Sequence, residues 1–444
     1  MAYLAGVLMI VVGIALSIAL HEIGHLVPAK KFGVKCTQYM VGFGPTLWSR
    51  KRGDTEYGLK AIPVGGYIRM IGMVPPRADG TRSRWPRRMS SAIEEFRTVS
   101  RAEVVPQDEA RQFYRLTPGK KIIVMLGGPS MNLLIYLVLT VVLLLSMGSP
   151  VAQASTTVGL VTKCVVPAGT PAAKATDCRR ANSPAALAGL RAGDRIESVD
   201  GTPVTSWKQL VSMVEPSAGK TLRLSVQRNG AALTVSVTPV RNLKYVGDST
   251  TKTKEAGFLG ISPTNELFYR PQTILDVPGQ IGSQLHVGVS ALGSYPAKLQ
   301  NLWQTVFEGK QRDPQGAIGL VGIGRIGGQI AENHQATLKD KTYTLISLLA
   351  SINLLLFLFN LLPLLPLDGG HVAGAIVEGA KRGRARLRQR RERRTNPGLP
   401  HTRPQIFVDT AQMLPVMYGV ASVLIVVTLL TLYADIVNPI NIGG

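Results

Sequence analysis

The sequence predicts an α-helical polytopic membrane protein with four transmembrane helices and one extracytoplasmic α+β domain. Only 17% of the 444 residues are charged and 45% are hydrophobic, which is typical of a chain with several membrane spans. Four segments are apolar and long enough to cross a bilayer as helices: 1–27, 122–147, the first part of 342–380, and 411–437. The distribution of charge between them gives the expected orientation.

Lys and Arg are concentrated in two of the connecting segments. Residues 28–121 carry 19 Lys and Arg against 8 Asp and Glu, and residues 381–409 carry 10 against 2. The positive-inside rule places both segments in the cytoplasm, so both termini and residues 148–341 lie outside. We interpret the net charge of +23 as attraction to anionic lipid, above all by the arginine-rich loop 381–410. No nucleic-acid partner is expected, although nucleic acid is the alternative for that loop.

The first span ends in the motif HEIGH, residues 21–25. On a helix, His21 and His25 lie on one face, one turn apart, so both imidazoles can reach one Zn²⁺. Glu22 lies beside them, where a carboxylate can take a proton from water at the metal. Ionisable side chains in a hydrophobic span are costly and usually functional. The motif therefore predicts a zinc-hydrolase site inside the membrane.

The third span supplies a candidate for the missing metal ligand. A catalytic zinc needs three protein ligands and an open position. Pro363 and Pro366 should interrupt the helix just before Asp368, and irregular backbone at membrane depth is tolerated where it lines a cavity. We expect Asp368 to be the third ligand and His371 to be its weaker rival. Asn360 has two open interpretations, a helix–helix hydrogen bond or orientation of a substrate backbone.

The outer segment contains a small β-rich domain, expected at 158–239. Its run SPAALAGLRAGDRIESVDGTPV, residues 183–204, resembles bacterial PDZ domains, which bind extended peptides at a sheet edge. A PDZ-shaped steric plug is the alternative, and residues 257–261 can be either its closing strand or its carboxylate-binding loop. The expected elements are a capped helix after Ser183, a strand at 195–199, a helix at 207–214, and strands at 222–227 and 233–238.

The three cysteines are divided between the two sides of the membrane. Cys36 lies in the cytoplasmic loop, and Cys164 and Cys178 lie in the outer segment, where oxidation is allowed. We predict a disulfide between Cys164 and Cys178, with two unpaired thiols as the alternative.

Together these motifs resemble the site-2 protease family of intramembrane zinc metalloproteases. The resemblance rests on HEIGH in the first span, GPSMN at 128–132 in the second, a PDZ domain outside, and N-x-x-P…LDGG at 360–370. Members with one PDZ domain, of the actinobacterial Rip type and the RseP type, are most alike. Residues 41–45 and 63–68 resemble the family's cytoplasmic membrane-associated β-loop, which completes the expected fold. Segment 77–105 looks like an insertion.

The resemblance implies one Zn²⁺ held by His21, His25 and Asp368, with Glu22 as general base. The Gly-Gly-Tyr pattern of Gly65, Gly66 and Tyr67 motivates a further hypothesis, in which an extended strand at 64–70 pairs with the unwound substrate and Asn360 holds the substrate carbonyl. The expected substrates are single-span membrane proteins, such as anti-sigma factors already trimmed by an upstream site-1 protease. The expected location is the bacterial plasma membrane, with the PDZ domain extracytoplasmic and the active site toward the cytoplasm.

These expectations divide the chain into seven parts. They are 1–27 with HExxH, 28–121 with the β-loop, 122–147, 148–341 with the PDZ domain, 342–380 with the LDG motif, 381–410, and 411–437. The main competing function is a catalytically silent PDZ membrane scaffold, which would need none of the candidate metal ligands.

Overall fold

The computed structural model describes residues 1–77, 85–165, 182–245, 253–310, 312–313, 316–334, 336–395 and 406–440. They form two compact units, one of Met1–Met147 with Gln272–Gly444 and the other of Gly148–Pro271. The helices are α1 (Ala2–Lys31), α2 (Arg87–Ala102), α3 (Pro118–Ser146), α4 (Pro184–Leu187), α5 (Trp207–Val214), α6 (Val277–Gly293), α7 (Tyr295–Phe307), α8 (Leu320–Glu332), α9 (Leu338–Asn360), α10 (Asp368–Thr395) and α11 (Leu414–Val437). The strands are β1 (Cys36–Arg52), β2 (Thr55–Met70), β3 (Ser149–Val161), β4 (Arg195–Val199), β5 (Thr202–Pro203), β6 (Leu222–Arg228), β7 (Ala231–Val237), β8 (Val240–Tyr245), β9 (Thr253–Phe258) and β10 (Ile261–Arg270).

Four helices of the described chain are long and apolar enough to cross a membrane. They are α1, α3, α9 and α11, the last preceded by a 3₁₀ turn, Thr410–Met413, and they correspond to the four predicted spans. Their surfaces carry many exposed Leu, Val and Ile side chains, which are compatible with lipid as the surrounding solvent. The protein is therefore a multi-pass membrane protein.

The third predicted span is interrupted before its metal-binding candidate. Helix α9 begins with a capping box, in which Thr337 and Asp340 exchange side-chain and backbone hydrogen bonds, and it ends at Asn360. The chain is non-helical until Asp368, where α10 begins. Helix α10 then continues to Thr395, so much of the stretch that we expected to be an arginine-rich loop is helical. Straight-chain arginines favour a helix, which explains the difference.

Strands β1 and β2 bend into a small sheet of four segments. Residues 36–41 pair with 66–70 on one side and 56–59 on the other, and 46–52 pair with 55–60. Segment 66–70 therefore occupies an edge, and within the described residues it is paired on one side only. The sheet packs against α1, where the Tyr39 hydroxyl donates a 2.8 Å hydrogen bond to the carbonyl of Ala19.

Helix α1 packs against α3, α8 and α9, and its backbone approaches those of α3 and α8 closely. A Cβ on Gly24 would lie 2.2 Å from the carbonyl oxygen of Gly127 in α3. On the same helix, a Cβ on Gly6 would lie 2.3 Å from the carbonyl oxygen of Gly327 in α8. Only glycine permits these two contacts, so they set how closely the helices approach.

The second unit is an α+β domain with strand order β10-β3-β4-β6-β7, β5 beside β4, and a separate β8–β9 pair. Its core contains Val158, Ile196, Leu210, Leu224 and Val226. The predicted helix at 207–214 and strand at 195–199 have the bounds of α5 and β4. The unit itself is larger than the predicted 158–239 domain, because β3 begins at Ser149 and β10 ends at Arg270.

The cysteine prediction is tested only in part. Cys36 is a buried free cysteine. Cys164 is buried and its backbone forms a bridge with Asn182. Cys178 lies outside the described residues, so its disulfide with Cys164 stays a prediction.

Candidate metal centre

The last turns of α1 carry the two candidate histidines. His21 and His25 are one helical turn apart, and their Nε2 atoms are separated by 3.2 Å. Both rings are largely shielded, with the His25 residue only 6% exposed. Two neutral imidazole nitrogens so close together need a cation or a proton between them, since two lone pairs repel.

Asp368 completes the group from the other end of the chain. Its Oδ2 atom lies 3.3 Å from Nε2 of His21 and 3.3 Å from Nε2 of His25. The helix break places it there, because α9 stops at Asn360 and Asp368 is the first residue of α10. Among the His, Cys, Asp and Glu side chains of the described residues, these three form the group whose donor atoms lie close enough together to hold a metal ion.

The spacing of the donor atoms fits zinc. Ligands about 2.0–2.1 Å from a tetrahedral Zn²⁺ are about 3.3–3.4 Å from one another. The observed separations are 3.2, 3.3 and 3.3 Å. Two imidazoles and one carboxylate also match the His₂-carboxylate set of catalytic zinc sites, which leaves a fourth position for water or substrate.

The outer nitrogen of each histidine contacts a group on α3. Nδ1 of His25 lies 2.7 Å from the carbonyl oxygen of Val124, which accepts the Nδ1 proton and leaves Nε2 free as a ligand. Nδ1 of His21 lies 3.1 Å from the side-chain amide of Asn132, which is 1% exposed. Asn132 is the last residue of the GPSMN motif, and sequence reasoning gave it no role. A lone amide in an apolar span was the signal available.

Glycine at position 128 makes room for the His25 ring. A Cβ there would lie 2.2 Å from Nε2 of His25, the candidate ligand atom itself. The position therefore excludes every other residue unless the imidazole moves.

Glu22 faces the edge strand of the small sheet. A Cβ on Gly66 would lie 3.2 Å from Cγ of Glu22, so β2 passes directly beside that side chain. Gly65 has a φ of +86°, which favours glycine, and the Tyr67 ring stacks on Phe43 with centroids 6.2 Å apart. The structure thus brings Gly66 beside Glu22, while its neighbours Gly65 and Tyr67 contact Phe43 of β1.

The two remaining candidates in the third span have different positions. Asn360 is the final residue of α9 and is half-buried, at the start of the break that leads to Asp368. His371, in the first turn of α10, does not belong to the converging group of donors.

Three donors spaced for zinc, with a glutamate beside them on membrane-spanning helices, define a membrane metallohydrolase. The profile of Peptidase family M50 matches residues 9–393, and the chain belongs to that family, the site-2 protease family. It is a zinc metalloprotease, with Zn²⁺ as its cofactor. A catalytically silent scaffold is therefore set aside.

Curated relatives cover nearly the whole chain. Zinc metalloprotease Rip1 of Mycobacterium tuberculosis is 32% identical over 448 residues, which is 100% of both proteins. Zinc metalloprotease RasP of Geobacillus kaustophilus is 26% identical and covers 83% of this chain and 88% of its own length. The Regulator of sigma-W protease RasP of Bacillus subtilis is 26% identical, with coverage of 81% and 87%.

Proposed function

We propose that this protein cleaves single-span membrane proteins at a zinc site held by His21, His25 and Asp368. The convergence of these three donors at 3.2–3.3 Å is the observation that supports the proposal. When bound, Zn²⁺ supplies Lewis-acid polarisation of the scissile carbonyl and brings the pKa of water to about 7. Glu22 accepts the proton of the attacking water and then donates it to the leaving amine.

Substrate helices must unwind before cleavage, because their carbonyls are hydrogen-bonded. The edge segment 66–70 holds the unwound substrate in this proposal, because an edge strand offers free backbone donors and acceptors. Gly66 lies against Glu22, so a strand added there passes the general base. Asn360 then orients the substrate backbone with its amide.

The orientation in the membrane follows from the charge of the loops. With residues 28–121 and 381–410 in the cytoplasm, the site at the end of α1 lies toward the cytoplasmic side of a bacterial plasma membrane. Exposed apolar side chains on the small sheet, among them Leu47, Trp48 and Ile62, support its role as a membrane-associated β-loop.

The outer unit acts as a PDZ domain in this proposal. A groove of about 140 Å³ lies between α5 and residues 258–261, and β10, which begins at Ile261, is the end strand of the sheet order. Residues 257–261 form the end of β9, a turn and the start of β10, with Gly260 at φ +88°. A groove beside an edge strand is the geometry that accepts an extended peptide.

The substrate class is membrane proteins already shortened outside, such as trimmed anti-sigma factors. One relative is named for regulation of sigma-W, which supports this class. An upstream site-1 protease would create the new carboxyl terminus, and the PDZ domain would admit trimmed chains and exclude intact ones.

The proposal is tested with Glu22→Gln in the full chain, purified and reconstituted with zinc quantified. We expect zinc to be retained and cleavage to fall by about 10²–10⁴-fold, because the general base is lost. Uncleaved substrate trapped by this variant is then identified by mass spectrometry. Glu392→Gln, which changes an exposed carboxylate outside the candidate site, is the matched control and should retain both zinc and cleavage. Unchanged cleavage by Glu22→Gln would overturn the assignment.

The strand-pairing step is tested by proline substitution along 66–70. A proline removes a backbone donor, so alternating positions that face the free edge should lose cleavage while zinc is retained. If proline at each of these five positions leaves cleavage unchanged, pairing at this edge is excluded.

A further inference from the structure

Helix α2 lies in segment 77–105, the apparent insertion to which the proposed reaction gives no role. The helix follows Pro86 and buries one narrow face, on which Ile93 and Arg97 are each 3% exposed. It is therefore a packed element of the protein with a definite partner surface.

That partner surface is the beginning of the fourth apolar span. Ile93 packs with Ala411 and Leu414, with Trp85 and Met417 against the same cluster. The span covers Thr410–Val437, so α2 is held at the level where this span begins.

Hydrogen bonds from Arg97 and Trp85 fix the same attachment. The Arg97 guanidinium donates 2.5 Å and 2.6 Å hydrogen bonds to the Asp409 carboxylate and the Pro75 carbonyl. The Trp85 indole N–H donates a 2.8 Å hydrogen bond to the carbonyl of Gln412. Because Arg97 is buried and paired, its substitution would cost more than that of a surface arginine.

A second face of α2 is apolar and uncovered. Met89, Phe96 and Val99 are 36%, 37% and 57% exposed, at spacings of seven and three residues that put them on one side of the helix. Arg87 and Arg88, both exposed, lie in the first turn.

We propose that α2 is an interfacial helix whose apolar face enters the anionic lipid surface where α11 begins. Lipid is the occupant because Leu414 and Met417, against which α2 packs, already belong to the apolar span. Met413 and Val416, 48% and 45% exposed, carry apolar surface at the same level of this span. Arginine beside an apolar stripe is the arrangement that binds anionic headgroups while its stem stays in the apolar layer.

The consequence is that the protein has an attachment to the membrane surface besides its spans. Through Ile93 and Arg97, the position of the lipid surface is coupled to the start of α11.

The test places a nitroxide label on α2 of the full chain in nanodiscs of phosphatidylcholine and phosphatidylglycerol. Val99→Cys reports the apolar face, and Thr98→Cys, its exposed neighbour on the polar side, is the matched control; the unsubstituted chain serves as the blank for native thiols. We expect the label at 99 to be relaxed mainly by oxygen and the label at 98 mainly by a water-soluble nickel complex. Equal accessibility to nickel at both positions would overturn the proposal, and Phe96→Cys repeats the comparison if one variant fails to fold.

The headgroup contribution is tested with the same label at 99. We expect deeper burial with phosphatidylglycerol than with phosphatidylcholine alone, and loss of that difference in Arg87→Gln/Arg88→Gln. A depth that does not respond to lipid charge would refute recognition of anionic headgroups.

Discussion

At the scale of single residues, the geometry of the candidate metal centre depends on atoms outside the three candidate ligands. A histidine ligand needs an acceptor on its other ring nitrogen, which sets the tautomer and the ring orientation. For His25 the acceptor is the Val124 carbonyl. For His21 the neighbour is Asn132, whose Oδ1 atom is buried and, within the described residues, has no hydrogen-bond partner. Rotating this amide by half a turn directs the oxygen at Nδ1, where it can accept the Nδ1 proton of His21.

We therefore expect Asn132→Leu to weaken zinc binding by about 10–100-fold, the usual effect of losing such an outer contact. Asn132→Asp keeps an acceptor and should retain most of the affinity. Zinc affinity is measured by competition with a chelator.

The control for Asn132 is Asn353→Leu. Asn353 is also buried, but it donates to Ser17 Oγ and the Leu349 carbonyl rather than to a candidate ligand. Asn353→Leu should lower the free energy of unfolding without changing zinc affinity. Equal zinc affinity in Asn132→Leu and the wild type would show that Asn132 does not orient His21.

At the scale of elements, a buried ion pair joins α11 to the segment that precedes α8. Asp435 of α11 accepts a 2.5 Å hydrogen bond from Arg312 and further hydrogen bonds from the backbone N–H groups of Gly319 and Gly322. The carboxylate therefore caps the first turn of α8. Both charged side chains are almost fully buried, at 6% and 1% exposed.

Removing one member of this pair should destabilise the helical unit. We expect Asp435→Asn to lower the free energy of unfolding by about 3–5 kcal/mol, because Arg312 becomes a buried, uncompensated charge. The measurement is denaturant unfolding in detergent. Glu392→Gln, which breaks an exposed pair with Arg388, is the control and should change the free energy of unfolding by about 0–1 kcal/mol.

The outer unit contains an ion pair whose effect depends on pH. Arg228 donates two 2.7 Å hydrogen bonds to the Asp194 carboxylate, and the N–H of Arg191 adds a third. These contacts, led by Arg228, hold the pKa of Asp194 below its usual range. A carboxylate with a lowered pKa stabilises the fold above its unfolded pKa of about 3.9, and that contribution is lost as the pH falls through the folded value.

Hydrogen exchange of β6 in the full chain measures this dependence. We expect protection to decrease as the pH falls below about 4, and the decrease to be smaller in Asp194→Asn, which lacks the titrating group. Glu197→Gln, an exposed neighbour in β4, should behave like the wild type. An identical pH profile for Asp194→Asn and the wild type would exclude this carboxylate as the source.

At the scale of the whole molecule, every residue of the candidate metal centre belongs to the first unit. The second unit begins and ends on neighbouring strands, because Ser149 of β3 pairs with Arg270 of β10. A short linker can therefore replace it without moving its two attachment points far.

We expect deletion of residues 148–271 to leave zinc binding intact. If the outer unit excludes untrimmed substrate, the same variant should cleave untrimmed substrate that the wild type does not cleave. Zinc content and cleavage are measured separately, so a variant that folds and still refuses untrimmed substrate would contradict gating. A full chain carrying Val211→Glu, at a half-buried residue that lines the groove, distinguishes peptide binding from steric exclusion, because only peptide binding needs an apolar groove.

The sequence by itself determined the features that depend on neighbouring residues. The four apolar spans, the pairing of His21 with His25, and the bounds of α5 and β4 are set by hydrophobic length, helical repeat and turn chemistry. These interactions act over one or two turns, so the order of residues contains them.

Only the tertiary structure decided which distant groups meet. Asp368 meets both histidines, Gly128 leaves space for the ring of His25, and Gly66 contacts Glu22. In each case the two residues belong to segments that are far apart in the chain. The same is true of Asn132 and of α2, whose partners are His21 and the start of α11. Such contacts follow from how helices and strands pack in three dimensions. Local sequence patterns do not encode that packing.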